Sequence, residues 1–185
     1  KNIIYIKNYF KTIKYYNSIH KIKYKKIKKN ILINYPFTNF SNTNLIKKFN
    51  YEFSNFIKMK LAENKIDDNF NIIIKRKSSH SKKNIFNFIH IMKNCGFKNK
   101  IINFEKIYKT NLLIDLFIEK INPKILFTNL NSSVVVFNTA YPKKKIILTD
   151  QFIIDFIQKN KNFFVISKNE LSIFNDYKNN IGYLI

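Results

Sequence analysis

The chain of 185 residues has two glycines, three prolines, one cysteine and no tryptophan. So little glycine leaves no glycine-rich phosphate loop and no G-x-S-x-G elbow for a nucleophilic serine. A single cysteine, Cys95, excludes an internal disulfide and a zinc site of the usual four-ligand kind. No apolar run approaches the roughly 20 residues needed to cross a bilayer. Acidic residues are scarce, 11 against 34 basic ones, and Asp67-Asp68 is the one adjacent pair. A metal-dependent nuclease needs clustered carboxylates, so nuclease activity stands only as an alternative to a binding role. His80 and His90 are neither spaced nor partnered for a metal or a catalytic dyad. The expectation is a protein without enzymatic activity, cofactor, small-molecule substrate or membrane attachment.

What the chain does have is positive charge. The formal net charge is +23, enough to call for a polyanionic partner. Abundant Lys, Asn, Ile, Phe and Tyr point to a very AT-rich coding sequence, typical of organelle genomes and a few nuclear ones, so part of the lysine count reflects codon bias. The codons of aspartate and glutamate are not GC-rich, however, and bias alone does not keep acids this rare.

Residues 1–51 hold 12 lysines and no acid, the first being Glu52. Lysines 21, 23, 25, 26, 28 and 29 form the densest run, and Tyr15, Tyr16 and Tyr24 could stack on bases between phosphate contacts. The stretch reads as a basic extension folding against RNA or a neighbouring protein, or as a codon-biased tail that tolerates solvent. Asn34-Tyr35-Pro36 and the polar residues 39–44 mark its linker to a folded body.

In that body Phe49, Phe53, Phe56, Ile57 and Leu61 share one helix face over about 44–64. Residues 70–74 read as a strand, followed by the basic loop Lys75-Arg76-Lys77-Ser78-Ser79-His80-Ser81-Lys82-Lys83. The serines cap a helix with Ile85, Phe88, Ile89 and Met92 on its buried face, and Gly96 ends it. The loop reads as a phosphate clamp of cations and helix-start N–H groups, with a solvated charge run as the alternative. Residues 101–108 and 112–118 read as paired strands, and 124–128 and 134–137 as further strands. The turn Pro142-Lys143-Lys144-Lys145 leads into strand 146–148, a helix capped at Thr149 or Asp150 and ending near Asn160, strand 163–166, the loop Ser167-Lys168-Asn169, and a closing strand at 181–185.

The order from Pro142 to Ile185 resembles the C-terminal half of bacterial-type small-subunit ribosomal protein eight, where a Pro-Gly-x-(Arg/Lys) turn precedes strand, helix, strand and a Ser-Thr-Ser-Lys-Gly loop. Lys58-Met59-Lys60-x-Ala62 resembles that family's first helix, and Lys93-Asn94-Cys95-Gly96-Phe97 its Lys-Glu-Glu-Gly-Phe. Only Ser167 and Lys168 remain of the loop motif, and Asn138-Thr139-Ala140-Tyr141 stands where a basic pair and a serine are usual. The resemblance implies an α+β protein of two small lobes: an N-terminal α-β-α-β-β unit over 49–122, and a C-terminal, mostly β unit with one short helix over 123–185, after an extension at 1–48. It also implies a structural role in the small ribosomal subunit of an organelle, mitochondrion before plastid, with small-subunit rRNA and neighbouring ribosomal proteins as partners. The expected RNA contacts are Lys58, Lys60, Lys75, Arg76, Lys77, Ser81, Lys82, Lys83, Lys143, Lys144, Lys145, Ser167, Lys168 and Asn169. Lysines at these places keep phosphate attraction but lack the guanidinium fork, so affinity without much base readout is expected.

Overall fold

A computed structural model of the chain describes residues 11, 29–36, 42–76, 82–108, 117–129 and 143–160. Its centre is a parallel sheet of five strands: β1 (Asn30–Asn34), β2 (Asn71–Lys75), β3 (Ile101–Asn103), β4 (Ile125–Thr128) and β5 (Lys145–Leu148), in the spatial order β3-β2-β1-β4-β5. Among the described residues the helices around it are α1 (Thr43–Glu63), α2 (Lys82–Asn94), α3 (Phe104–Tyr108), α4 (Ile118–Ile121) and α5 (Asp150–Lys159).

The strands are apolar on both sides, as a parallel sheet covered on both faces requires. Ile31, Ile33, Ile72, Ile74, Ile125, Phe127 and Ile147 point to the face covered by α1, α2 and α5. Leu32, Ile73 and Leu126 point to the other, against Phe104 and Tyr108 of α3, Phe117 just before α4, and Ile118 and Ile121 of α4. The registers agree with this alternation, Leu32 lying opposite Ile73 and Leu126. On the first face the rings of Phe49, Phe53, Phe56, Phe152 and Phe156 pack with neighbouring centroids 5.0–6.1 Å apart and fix α5 against α1. Asn42 caps α1, its side-chain oxygen accepting from the N–H groups of Asn44 and Leu45. Gly96 follows α2 at φ +80°, a left-handed conformation that a side chain would strain.

The chain thus mixes helices and strands as expected, with every described strand parallel. The strands come from all three stretches that the sequence suggested as separate units. β1 lies within residues 1–48 and is the central strand, its Ile31, Leu32 and Ile33 completely buried; that stretch is therefore not wholly an appendage. β4 and β5 lie beyond residue 122 yet pair into the same sheet as β1. The expected strand over 101–108 stops at Asn103, whose side-chain oxygen accepts from the N–H of Glu105 and starts α3. Ile118 belongs to a helix, while residues 112–116, 134–137, 163–166 and 181–185 lie outside the described residues.

Candidate nucleic-acid interface

Because all five strands run the same way, every connection emerges either beyond their carboxyl ends or before their amino ends. In open parallel sheets ligands commonly sit beyond the carboxyl ends where the strand order reverses, here between β1 and β4. At that point Asn34 Nδ2 donates to Thr128 Oγ1 at 3.2 Å, and Thr149 Oγ1 donates to Asn129 Oδ1 at 3.4 Å. No glycine follows β1. Instead Tyr35 and Pro36 are buried there. The Tyr35 ring lies 4.8 Å from that of Phe88 and its hydroxyl donates to Asn50 Oδ1. A core tyrosine therefore occupies the position from which a nucleotide-binding sheet lets its backbone approach phosphate.

Two of the expected phosphate contacts at this edge are internal. Arg76 is 8% exposed, its Nε 2.7 Å from Glu105 Oε1 and a terminal nitrogen donating to Oε2 at 3.3 Å. The Lys75 amine donates to the Arg76 carbonyl at 2.6 Å and lies 5.5 Å from the Phe104 ring centre. Burial lowers its pKa to about 8, against the opposing pull of Glu105. Both side chains brace the end of β2 rather than facing a ligand, a role invisible in a charge run because Glu105 is 29 residues away.

Lys58 and Lys60, expected to reach RNA from the first helix, also have protein partners. Lys58 Nζ donates to the Cys95 carbonyl at 2.9 Å, meeting the negative end of α2, and Lys60 pairs with Glu63 at 2.9 Å. Lys82 and Lys83 are exposed on the first turn of α2. Lys143 and Lys145 are exposed, and Lys144 donates to Asn122 Oδ1 with its pKa lowered by desolvation. Lys77, Ser81, Ser167, Lys168 and Asn169 lie outside the described residues.

The amino edge collects what the sequence scatters. Lys29 precedes β1, Lys98 and Lys100 precede β3, Lys124 precedes β4, and Lys143 and Lys145 stand at the start of β5; all six are exposed. Backbone bonds hold this edge: Asn71 N donates to the Lys29 carbonyl and Lys124 N to the Asn30 carbonyl, each at 2.8 Å. The amines of Lys29 and Lys124 lie 6.0 and 5.2 Å from the centre of one ring, Phe70. Before β2 stand Asp67 and Asp68 instead, with Asn99 Nδ2 donating to the carbonyls of Asp67 and Phe70. Sequence reading missed Lys29, Lys98, Lys100 and Lys124 as a set. Their shared signal is a lysine just before an apolar strand, which acquires meaning only once the strands are known to be parallel.

Among the described residues no group of three His, Cys, Asp or Glu could hold a metal ion, and no helix is long and apolar enough to cross a membrane. A scan against protein-family models finds no match, and neither does a comparison with curated proteins.

Proposed function

We propose that this chain is a structural RNA-binding protein of the small ribosomal subunit of an organelle, the mitochondrion before the plastid, holding small-subunit rRNA in place among neighbouring proteins. The observation that carries the reading is that folding leaves the basic excess on the surface. Every described lysine except Lys75 is exposed or half-exposed, while Glu52, Glu63 and Glu105 each stand in an ion pair within the protein. Such a surface repels itself unless a polyanion neutralises it.

The ribosomal setting comes from the resemblance of segment order to small-subunit protein eight. One sheet running through both of the lobes implied by that resemblance is no part of what it suggested, so charge, not family, bears the weight. The lysine-rich surface favours phosphate attraction over base readout. The test is fluorescence anisotropy of a labelled RNA hairpin against salt concentration. Log affinity should fall linearly with log salt, with a slope of roughly −0.7 to −0.9 for each phosphate contacted. A response flat in salt would refute the reading.

A further inference from the structure

We infer that the amino edge of the sheet over β1, β4 and β5 is the track on which the phosphodiester backbone of RNA lies, with Lys29, Lys124, Lys143 and Lys145 as its cations. This rests on the RNA-binding reading above and locates it on the molecule. The spatial order along the edge is Lys98 and Lys100 before β3, Lys65, Asp67 and Asp68 before β2, Lys29 before β1, Lys124 before β4, then Lys143 and Lys145 at β5. The two aspartates interrupt the row on one side only. From β1 to β5 the described turns carry lysine and no described acidic side chain.

Adjacent strands lie about 4.8 Å apart, so neighbouring lysines on this edge spring from backbone positions closer together than the Debye length of about 8 Å at physiological salt, and their charges can act on one ligand together. The α1 and α2 C-termini also end here, each contributing roughly −0.5 of a charge, and the aspartates add two full negative charges. The four lysines on the β1–β4–β5 side have no described carboxylate in their own turns, whereas on the β2–β3 side Lys65, Lys98 and Lys100 share the edge with Asp67, Asp68 and both helix ends and are largely offset. A narrow row of cations bordered by carboxylates suits a linear polyanion. A broad anionic lipid surface would meet Asp67 and Asp68 as well as the lysines and be repelled by them. The carboxyl edge is the poorer choice, because Lys75 and Arg76 are turned into the protein and Tyr35 fills the switch point.

Two measurements on the full chain test this. In the first, exposed amines are acetylated with and without an RNA hairpin and read by mass spectrometry; Lys29, Lys124, Lys143 and Lys145 should be protected, and Lys98 and Lys100 much less. In the second, the fourfold variant Lys29→Gln, Lys124→Gln, Lys143→Gln and Lys145→Gln should make the log–log salt slope shallower by about 3, the sum of four contacts, and weaken binding roughly a hundredfold or more near 0.1 M salt. The pairs Lys98→Gln with Lys100→Gln, and Lys82→Gln with Lys83→Gln, should each change the slope by less than half as much. The protection pattern needs no variant, so a misfolded variant does not remove the test. A wild-type chain that binds the hairpin while the fourfold variant keeps its slope, or a larger loss from the Lys82 and Lys83 pair, overturns the inference and spares the RNA-binding reading. A wild-type chain that does not bind RNA, or whose four amines are protected by phosphatidylserine vesicles and not by RNA, overturns both.

Discussion

Beginning the chain at Leu45, so that residues 1–44 are deleted, removes β1 and should abolish folding. The lost strand lies between β2 and β4 and is paired to both. Ile31, Leu32 and Ile33 are completely buried and Tyr35 is 2% exposed. Burying each such side chain stabilises by about 1.5–3 kcal/mol, or roughly 6–12 kcal/mol for the four, an upper estimate because unfolded chains are partly collapsed. That is as large as the whole stability of an ordinary domain, about 5–15 kcal/mol, before the inner edges of β2 and β4 lose their partners. A chain beginning at Lys29 keeps the five described strands and should retain a cooperative thermal transition. Circular dichroism during heating and limited trypsin digestion distinguish the two: the longer deletion should show no cooperative transition and rapid cleavage throughout. If it melts cooperatively near the temperature of the full chain, β1 is dispensable, and the assignment of the centre of the sheet is wrong.

Three further outcomes follow from the buried polar contacts. Tyr35→Phe leaves Asn50 Oδ1 without its donor in a site where Asn50 Nδ2 already has no partner among the described residues; a loss of about 1–3 kcal/mol in denaturant titration is expected, and an unchanged midpoint would contradict it. Glu105→Gln removes the charge of the Arg76–Glu105 ion pair at a largely buried site and should cost about 3–5 kcal/mol, whereas Arg76→Met with Glu105→Leu should recover most of that; equal losses in both would show that the pair is not the cause. Lys75 is lowered to about 8 in the folded protein while its unfolded value stays at the ordinary 10.5, so the unfolded chain binds the extra proton between those pH values. Stability should therefore carry a Lys75 contribution that rises with pH from about 8 to 10.5 and is absent in Lys75→Met; identical pH profiles for the two proteins would refute it.

Most elements could be read from local pattern, and the arrangement could not. The aromatic face of α1, the Ile-rich β2, the buried face and Gly96 stop of α2, and the succession of β5 and α5 all rest on pattern within a few residues, although Thr149 starts α5 without the expected side-chain capping bond and Ser78 to Ser81 lie outside the described residues. β1 escaped because a five-residue run inside a lysine-rich stretch looks like extension, and its burial depends on partners 41 and 94 residues further along, Ile72 and Ile125. α3 escaped because Ile101 to Tyr108 is apolar enough for a strand, and only the Asn103 side-chain bond diverts it. For the site, local charge was a poor guide: Arg76 lies in the most basic loop of the body and is paired inside. Lys29 closes the densest lysine run and Lys124 stands almost alone in sequence, and parallel strand order brings the two together.

The most direct measurement of the ribosomal role is sedimentation of the tagged full chain from organelle extract through a high-salt sucrose gradient, with the RNA in each fraction sequenced. The expected result is that the chain travels with the small subunit and that small-subunit rRNA is the RNA enriched with it. Sedimentation as a free protein, or with RNA other than small-subunit rRNA, would contradict that role.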